Sequence, residues 1–188
     1  MCKAGELISF LLFPSSHSSL RMLAIALLAF LCVSASANKI QAKSSSYNGE
    51  YGGVAGRRFS HSGNQLEGPI TAIRIRTNTH YIIGLQVRYG RTWSDNVGGT
   101  HGDLEEIFLY PGESVIQVSG KYKHYLRKLV FVTSKGRRLS FGGKEGISFN
   151  AVPLHPNTVL RYISGRATNY ITAIGLHWGP YPGNQNNC

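Results

Sequence analysis

Apolar positions in this chain alternate with polar ones over short runs, and almost no stretch carries a helical stripe. The segments ITAIRIRT (70–77), HYIIGLQVRYG (80–90), LEEIFLYPG (104–112), SVIQVSG (114–120), LRKLVFVTSKG (126–136) and RRLSFGG (137–143) are rich in Ile, Val, Phe, Tyr or Thr and bounded by Gly, Pro, Asn or Ser. That combination predicts strands. TSKG and YPGES supply turn chemistry between successive strands. Within ITAIRIRT, the side chains of Ile70, Ala72, Ile73 and Ile75 do not all fit on one face, which predicts a bulge. Strands about every ten residues, with no helix between them, predict a single all-β domain built as a sandwich, barrel or prism. No exact repeat runs along the chain. The Gly-rich stretch YNGEYGGVAG (47–56) reads as a loop.

The N-terminus follows a different pattern. LAIALLAFLCV (23–33) is an unbroken apolar run, followed by the small-x-small sequence Ala35-Ser36-Ala37. A membrane-spanning helix needs roughly 20 apolar residues, so the run is expected to be the core of a signal peptide. Residues 1–37 are therefore expected to be a leader with an upstream extension, cleaved after Ala37, with Met22 as an alternative start. The mature chain then has 151 of the 188 residues, enough for one domain over 38–178 with a substantial core, followed by a flexible tail over 179–188. Of the three cysteines, Cys2 and Cys32 leave with the leader. Only Cys188 remains, so no intradomain disulfide forms, and a monomer is expected.

Charge narrows the partners. The whole chain has a formal net charge of +11, and losing Lys3, Arg21 and Glu6 with the leader reduces it only to +10. In a secreted protein such an excess points to sulfated glycans, anionic cell-wall polymers or acidic membrane surfaces. Nucleic acid fits the charge but not the compartment. The cations cluster in KYKHYLRK, where Lys121, Lys123, Arg127 and Lys128 alternate with Tyr122 and Tyr125, and in the next hairpin, which carries Lys135, Arg137 and Arg138. These residues are the candidate contacts for a polyanion, because Lys and Arg hold sulfate or phosphate through charge-assisted hydrogen bonds.

Enzymatic chemistry finds little support. Asp95, Asp103, Glu105 and Glu106 lie close in sequence, but Glu105 and Glu106 are adjacent and would point to opposite faces of a strand. The segment also lacks the spacing of a calcium loop. Histidines are scattered without metal-ligand spacing, and no serine sits in a nucleophile elbow. No catalytic residue, metal or cofactor is assigned.

Three long strings now resemble one family. YNGEYGGVAGRRFSHSGNQLEGPITAIRIR, SDNVGGTHGDLEEIFLYPGESVIQVSGKY and HPNTVLRYISGRATNYITAIGLHW look like a jacalin-related lectin, over about residues 40–178. The resemblance implies a β-prism I fold of three four-stranded Greek-key sheets, with sugar-binding loops gathered at one end. It maps the Gly-rich loop onto 47–56, centred on Gly52 and Gly53, a recognition loop onto 120–125 with Tyr122, and a terminal loop onto 165–172 with Gly165, Thr168, Tyr170 and Thr172. In that family the terminal loop closes with a G-x-x-x-D motif whose aspartate accepts hydrogen bonds from sugar hydroxyls. Here the five residues read TNYIT, so Thr168 replaces the glycine and Thr172 the aspartate. Loss of a charge-assisted bond costs on the order of 1.5–3 kcal/mol, which predicts mannose affinity lowered about tenfold to a hundredfold. Thr168 is also expected to disfavour any positive φ in the loop.

The expectation is thus a secreted, non-enzymatic lectin for sulfated or heparin-like polyanions, in secretory granules, mucus or the extracellular space, with bacterial cell-wall glycans as a further target. Peripheral membrane association would then arise through proteoglycans. The alternative is a scaffold that packages secretory cargo onto granule-membrane proteoglycans.

Overall fold

A computed structural model of the protein describes residues 44–182. The expected leader, its cleavage after Ala37 and the terminal Cys188 lie outside the described residues.

Strands β1 (Ser46–Gly52), β2 (Arg57–Ser60), β3 (Ile70–Thr77), β4 (Ile82–Tyr89), β5 (Thr92–Trp93), β6 (Val97–Gly98) and β7 (Asp103–Phe108) make up the first half of the domain. The second half holds β8 (Val115–Tyr122), β9 (Leu126–Thr133), β10 (Arg138–Gly142), β11 (Ile147–Ala151), β12 (Thr158–Ala167) and β13 (Ile171–Pro180). One 3-10 turn, Asn64–Glu67, is the only helical element among the described residues. All six strands expected from alternation form, with β8 running past Gly120 to Tyr122.

These strands build three antiparallel sheets, ordered β1-β13-β12-β2, β5-β4-β3-β7 and β10-β9-β8-β11, with β6 also pairing β4. The third order shows a Greek key plainly: β8, β9 and β10 form a meander, and β11 returns to pair β8. The second sheet repeats that pattern with β3, β4, β5 and β7. In the first, the two earliest strands flank the two last ones, so the same key is made from both halves of the chain. The three sheets form the β-prism implied by the resemblance. The second sheet has five strands rather than four because its outer strand is broken. Ser94 interrupts it, bonding the Val87 N–H through its hydroxyl at 3.1 Å and the Val87 carbonyl through its own N–H at 2.9 Å.

Alternation explains the core. Ile73 and Ile75, Val118 and Phe131, and Ile174 and Leu176 project from the three sheets into one buried apolar cluster with Trp178. The expected bulge falls between Ile70 and Ala72, where the β3–β4 register slips. The extra residue, Thr71, turns its hydroxyl onto the Gly90 carbonyl at 2.8 Å, so Ile70, Ile73 and Ile75 all reach the interior.

Candidate functional site

One end of the prism gathers loops from all three sheets. The Gly-rich segment differs from its expected form, since 46–52 is strand β1 and only 53–56 is loop. A polar, Gly-rich edge strand carries little alternation, which is why it reads as a loop. Close approach makes the glycines necessary here. A Cβ on Gly52, at φ +139°, would lie 2.1 Å from the Thr172 carbonyl oxygen, and one on Gly53 would lie 2.4 Å from that of His124. The Gly53 N–H donates to the Thr172 carbonyl at 3.0 Å. The Gly-rich loop is thus held between the other two, and a side chain at either position would force them apart.

Those other loops are shorter than expected. Strand β8 runs on through Tyr122, leaving a turn of 123–125 closed by the Lys123 N–H on the Tyr125 carbonyl at 3.1 Å. Tyr122 is packed against the core, with its ring 6.4 Å from that of Tyr51. Strand β12 runs on to Ala167, so Gly165 is a buried strand residue paired with Ile174 and Phe59. The terminal loop is therefore 168–170, closed by the Thr168 N–H on the Tyr170 carbonyl at 2.9 Å. The loop asks no positive φ of Thr168: among the described non-glycine residues only Asn157 has one.

Tyr170 is half-buried in an aromatic cluster. Its ring centroid lies 5.4 Å from Tyr81, 5.4 Å from Tyr125 and 5.6 Å from His101. Sequence reasoning did not place Tyr81 or His101 at this site, because they come from the second sheet and no spacing along the chain signals their meeting. Thr172, the residue at the family's aspartate position, is 1% exposed, and its hydroxyl is buried with no hydrogen-bond partner. Thr172→Val keeps the β-branched shape and removes that orphan. We expect it to raise stability by about 1 kcal/mol, seen as a Tm increase of roughly 2–4 °C in a thermal melt, with sugar affinity unchanged.

The seven candidate cations fall into two groups. Lys121 and Lys128 face each other across β8 and β9, on the outer side of the third sheet. Lys121 reaches Ser148 of β11 at 3.2 Å. Arg138 pairs with Val132, four residues along β9 from Lys128, which places it about 13 Å away on the same face. Lys123 and Lys135 are exposed in the turns at opposite ends of β9. No Asp or Glu occurs in any of the four strands of this sheet.

The other two cations are engaged elsewhere. Arg137 donates to Glu113 at 2.8 Å and to the Phe108 carbonyl at 3.1 Å. Arg127, at the β8–β9 irregularity, pairs with Glu145 at 3.3 Å and lies 4.9 Å over the Tyr81 ring. The acidic cluster is ordinary surface: Glu106 pairs with Arg74 at 2.9 Å. Among the described residues no group of three His, Cys, Asp or Glu side chains could hold a metal ion.

Comparison with known proteins decides the family. The jacalin-like lectin domain matches residues 48–177. The chain belongs to the jacalin-like lectin family. Its relatives include zymogen granule membrane protein 16 of Homo sapiens, 74% identical over 89% of this chain and 100% of that protein. Among solved structures, a prostate-specific WGA16 glycoprotein lectin superposes with a TM-score of 0.63 at 34% identity, covering 72% of this chain and 99% of that one. Artocarpin complexed with methyl-α-mannose superposes at 0.61 with 23% identity, over 72% of this chain and 98% of that one, and so supports the fold alone. Like the family, this jacalin-like lectin is a carbohydrate-binding protein and not an enzyme. No helix among its described residues is long and apolar enough to cross a membrane.

Proposed function

We propose that this lectin binds sulfated or otherwise polyanionic glycan chains along the outer face of its third sheet, and binds mannose weakly. The observation that carries the reading is the row of Lys123, Lys121, Lys128, Arg138 and Lys135 on a sheet whose strands contain no carboxylate. Cations spread over a strand's length suit a linear polymer better than a small anion, and no neighbouring strand in that sheet neutralises them. Weak mannose binding follows from Thr172, whose hydroxyl is neutral and inaccessible where the family places an aspartate.

The secretory-granule name of the relatives, together with the expected leader, supports a granule or secreted setting. Within it the same face would serve either free glycan binding or the tethering of cargo to proteoglycans. Bacterial cell-wall polymers carry the same negative charge and fall within the same reading.

The triple variant Lys121→Gln/Lys128→Gln/Arg138→Gln should elute from immobilised heparin at clearly lower salt and lose about tenfold or more in affinity. Thr172→Asp should gain about tenfold to a hundredfold for methyl-α-mannoside by calorimetric titration. Unchanged heparin elution would overturn the first half, and equal mannoside affinities the second.

A further inference from the structure

Beside the loop cluster lies a cavity of about 410 Å³. It is lined by Thr79 and His80 from the β3–β4 turn, Arg127 from β9, Gly142 at the end of β10, and residues 143–145 that follow it. Arg127 dominates its chemistry. The side chain is only 14% exposed, yet the carboxylate it pairs with, Glu145, is 71% exposed. A pair with one partner so open to water contributes little. The remaining contacts of the guanidinium are a 3.5 Å hydrogen bond to the Tyr81 hydroxyl and the Tyr81 ring face, and Nε is buried with no partner. A largely desolvated, permanently charged fork held by a solvated carboxylate is suited to a stronger bidentate anion. Lys144, exposed at the rim, adds a second cation.

The cavity is also connected to the sugar loops. Tyr81, which carries Arg127, touches Tyr125 at 5.7 Å and Tyr170 at 5.4 Å. One aromatic ring therefore separates the guanidinium from the terminal loop.

We propose that this cavity takes the carboxylate or sulfate of an acidic sugar, whose ring lies on the loop cluster. Arg127 is the anchor, Lys144 stands at the rim, and Glu145 is the built-in competitor that the ligand's anion displaces. This rests on the reading of the loop end as the sugar site and deepens it. It is separate from the polymer-binding face, because neither Lys121 nor Lys128 lines the cavity.

Calorimetric titration of the mature protein tests the idea, using a uronic-acid disaccharide, a sulfated disaccharide and their neutral counterpart. Wild type should prefer one or both acidic ligands, and which one it prefers separates carboxylate from sulfate. Arg127→Gln should lower affinity for the acidic ligand about tenfold and leave the neutral one unchanged. Glu145→Gln, an exposed change that leaves the fold intact, should strengthen acidic binding severalfold, which a purely structural Arg127 would not produce. Lys121→Gln/Lys128→Gln should weaken heparin retention while leaving the preference for acidic over neutral disaccharide in place. Equal binding of acidic and neutral ligands by wild type, or no gain in Glu145→Gln, would overturn the proposal. Heparin retention lost only in the sheet variant would, in that event, leave the polymer reading standing.

Discussion

Arg137→Ala is expected to destabilise the domain by about 3–5 kcal/mol, although its place in a basic cluster marks it as a glycan contact. The reason is Glu113, whose side chain is fully buried. Burial works to raise its pKa. Hydrogen bonds from the Thr133 hydroxyl and the Tyr110 N–H, together with Arg137, outweigh burial and hold the carboxyl below its usual range. Removing Arg137 leaves an uncompensated anion beneath the β7–β8 turn, where desolvation is no longer offset. A carboxyl with a depressed folded-state pKa stabilises the protein above its unfolded pKa, about 4.3, and that contribution is lost as pH falls through the folded value. The cost of Arg137→Ala should therefore be large at pH 7 and smaller in acid, where Glu113 can take up a proton. Urea unfolding at both pH values measures this. A variant of unchanged stability with weakened heparin retention would instead make Arg137 a glycan contact.

Arg137 also shows what sequence reading could reach. The strands were legible because alternation and turn residues act locally, and even the bulge at Thr71 followed from counting faces in ITAIRIRT. Strand β1 was not, since SYNGEYG has too few apolar residues to mark a face. The glycines at 52 and 53 stood out as part of a Gly-rich stretch, and only family resemblance set them at a sugar loop. Their physical cause, two carbonyls within 2.4 Å of the would-be side chains, is tertiary. The cation cluster was visible as composition, but its division was not. Arg137 is captured by a carboxylate 24 positions earlier, and Arg127 is turned aside by an irregularity in register. The same applies to Tyr81 and His101, which meet Tyr170 only because three sheets close into a prism. Local pattern thus yields the scaffold and the charge, while long-range packing decides which charges remain free to bind.

Acid should weaken this scaffold at two histidines, most strongly at His61. His61 is 4% exposed, with Nδ1 3.2 Å from the Tyr89 hydroxyl and Nε2 buried without a partner. Burial pushes its pKa down to about 4, against a smaller opposing effect of Asp95. Burial also lowers that of His177. His61 is neutral in the fold and protonated in the acidic unfolded chain, so its depressed value favours the fold above pH about 6.5, and the lowered pKa of His177 acts in the same direction. That advantage is lost as pH falls towards the folded values. For His61 the loss amounts to about 3 kcal/mol between pH 6.5 and 4. His61→Gln removes the titrating ring and keeps a polar group near Tyr89, so it should start less stable at pH 7 and lose less on acidification. Denaturant titrations of both proteins across that pH range, at fixed salt, give the two slopes. Parallel slopes would show that the proton is taken up elsewhere. A steeper wild-type slope would place it on His61, which anchors the chain after β2 by donating its N–H to Ile163 of β12 at 3.0 Å. Since β12 leads directly into the terminal loop, glycan affinity in acid should then fall together with stability, and His61→Gln should retain more of it.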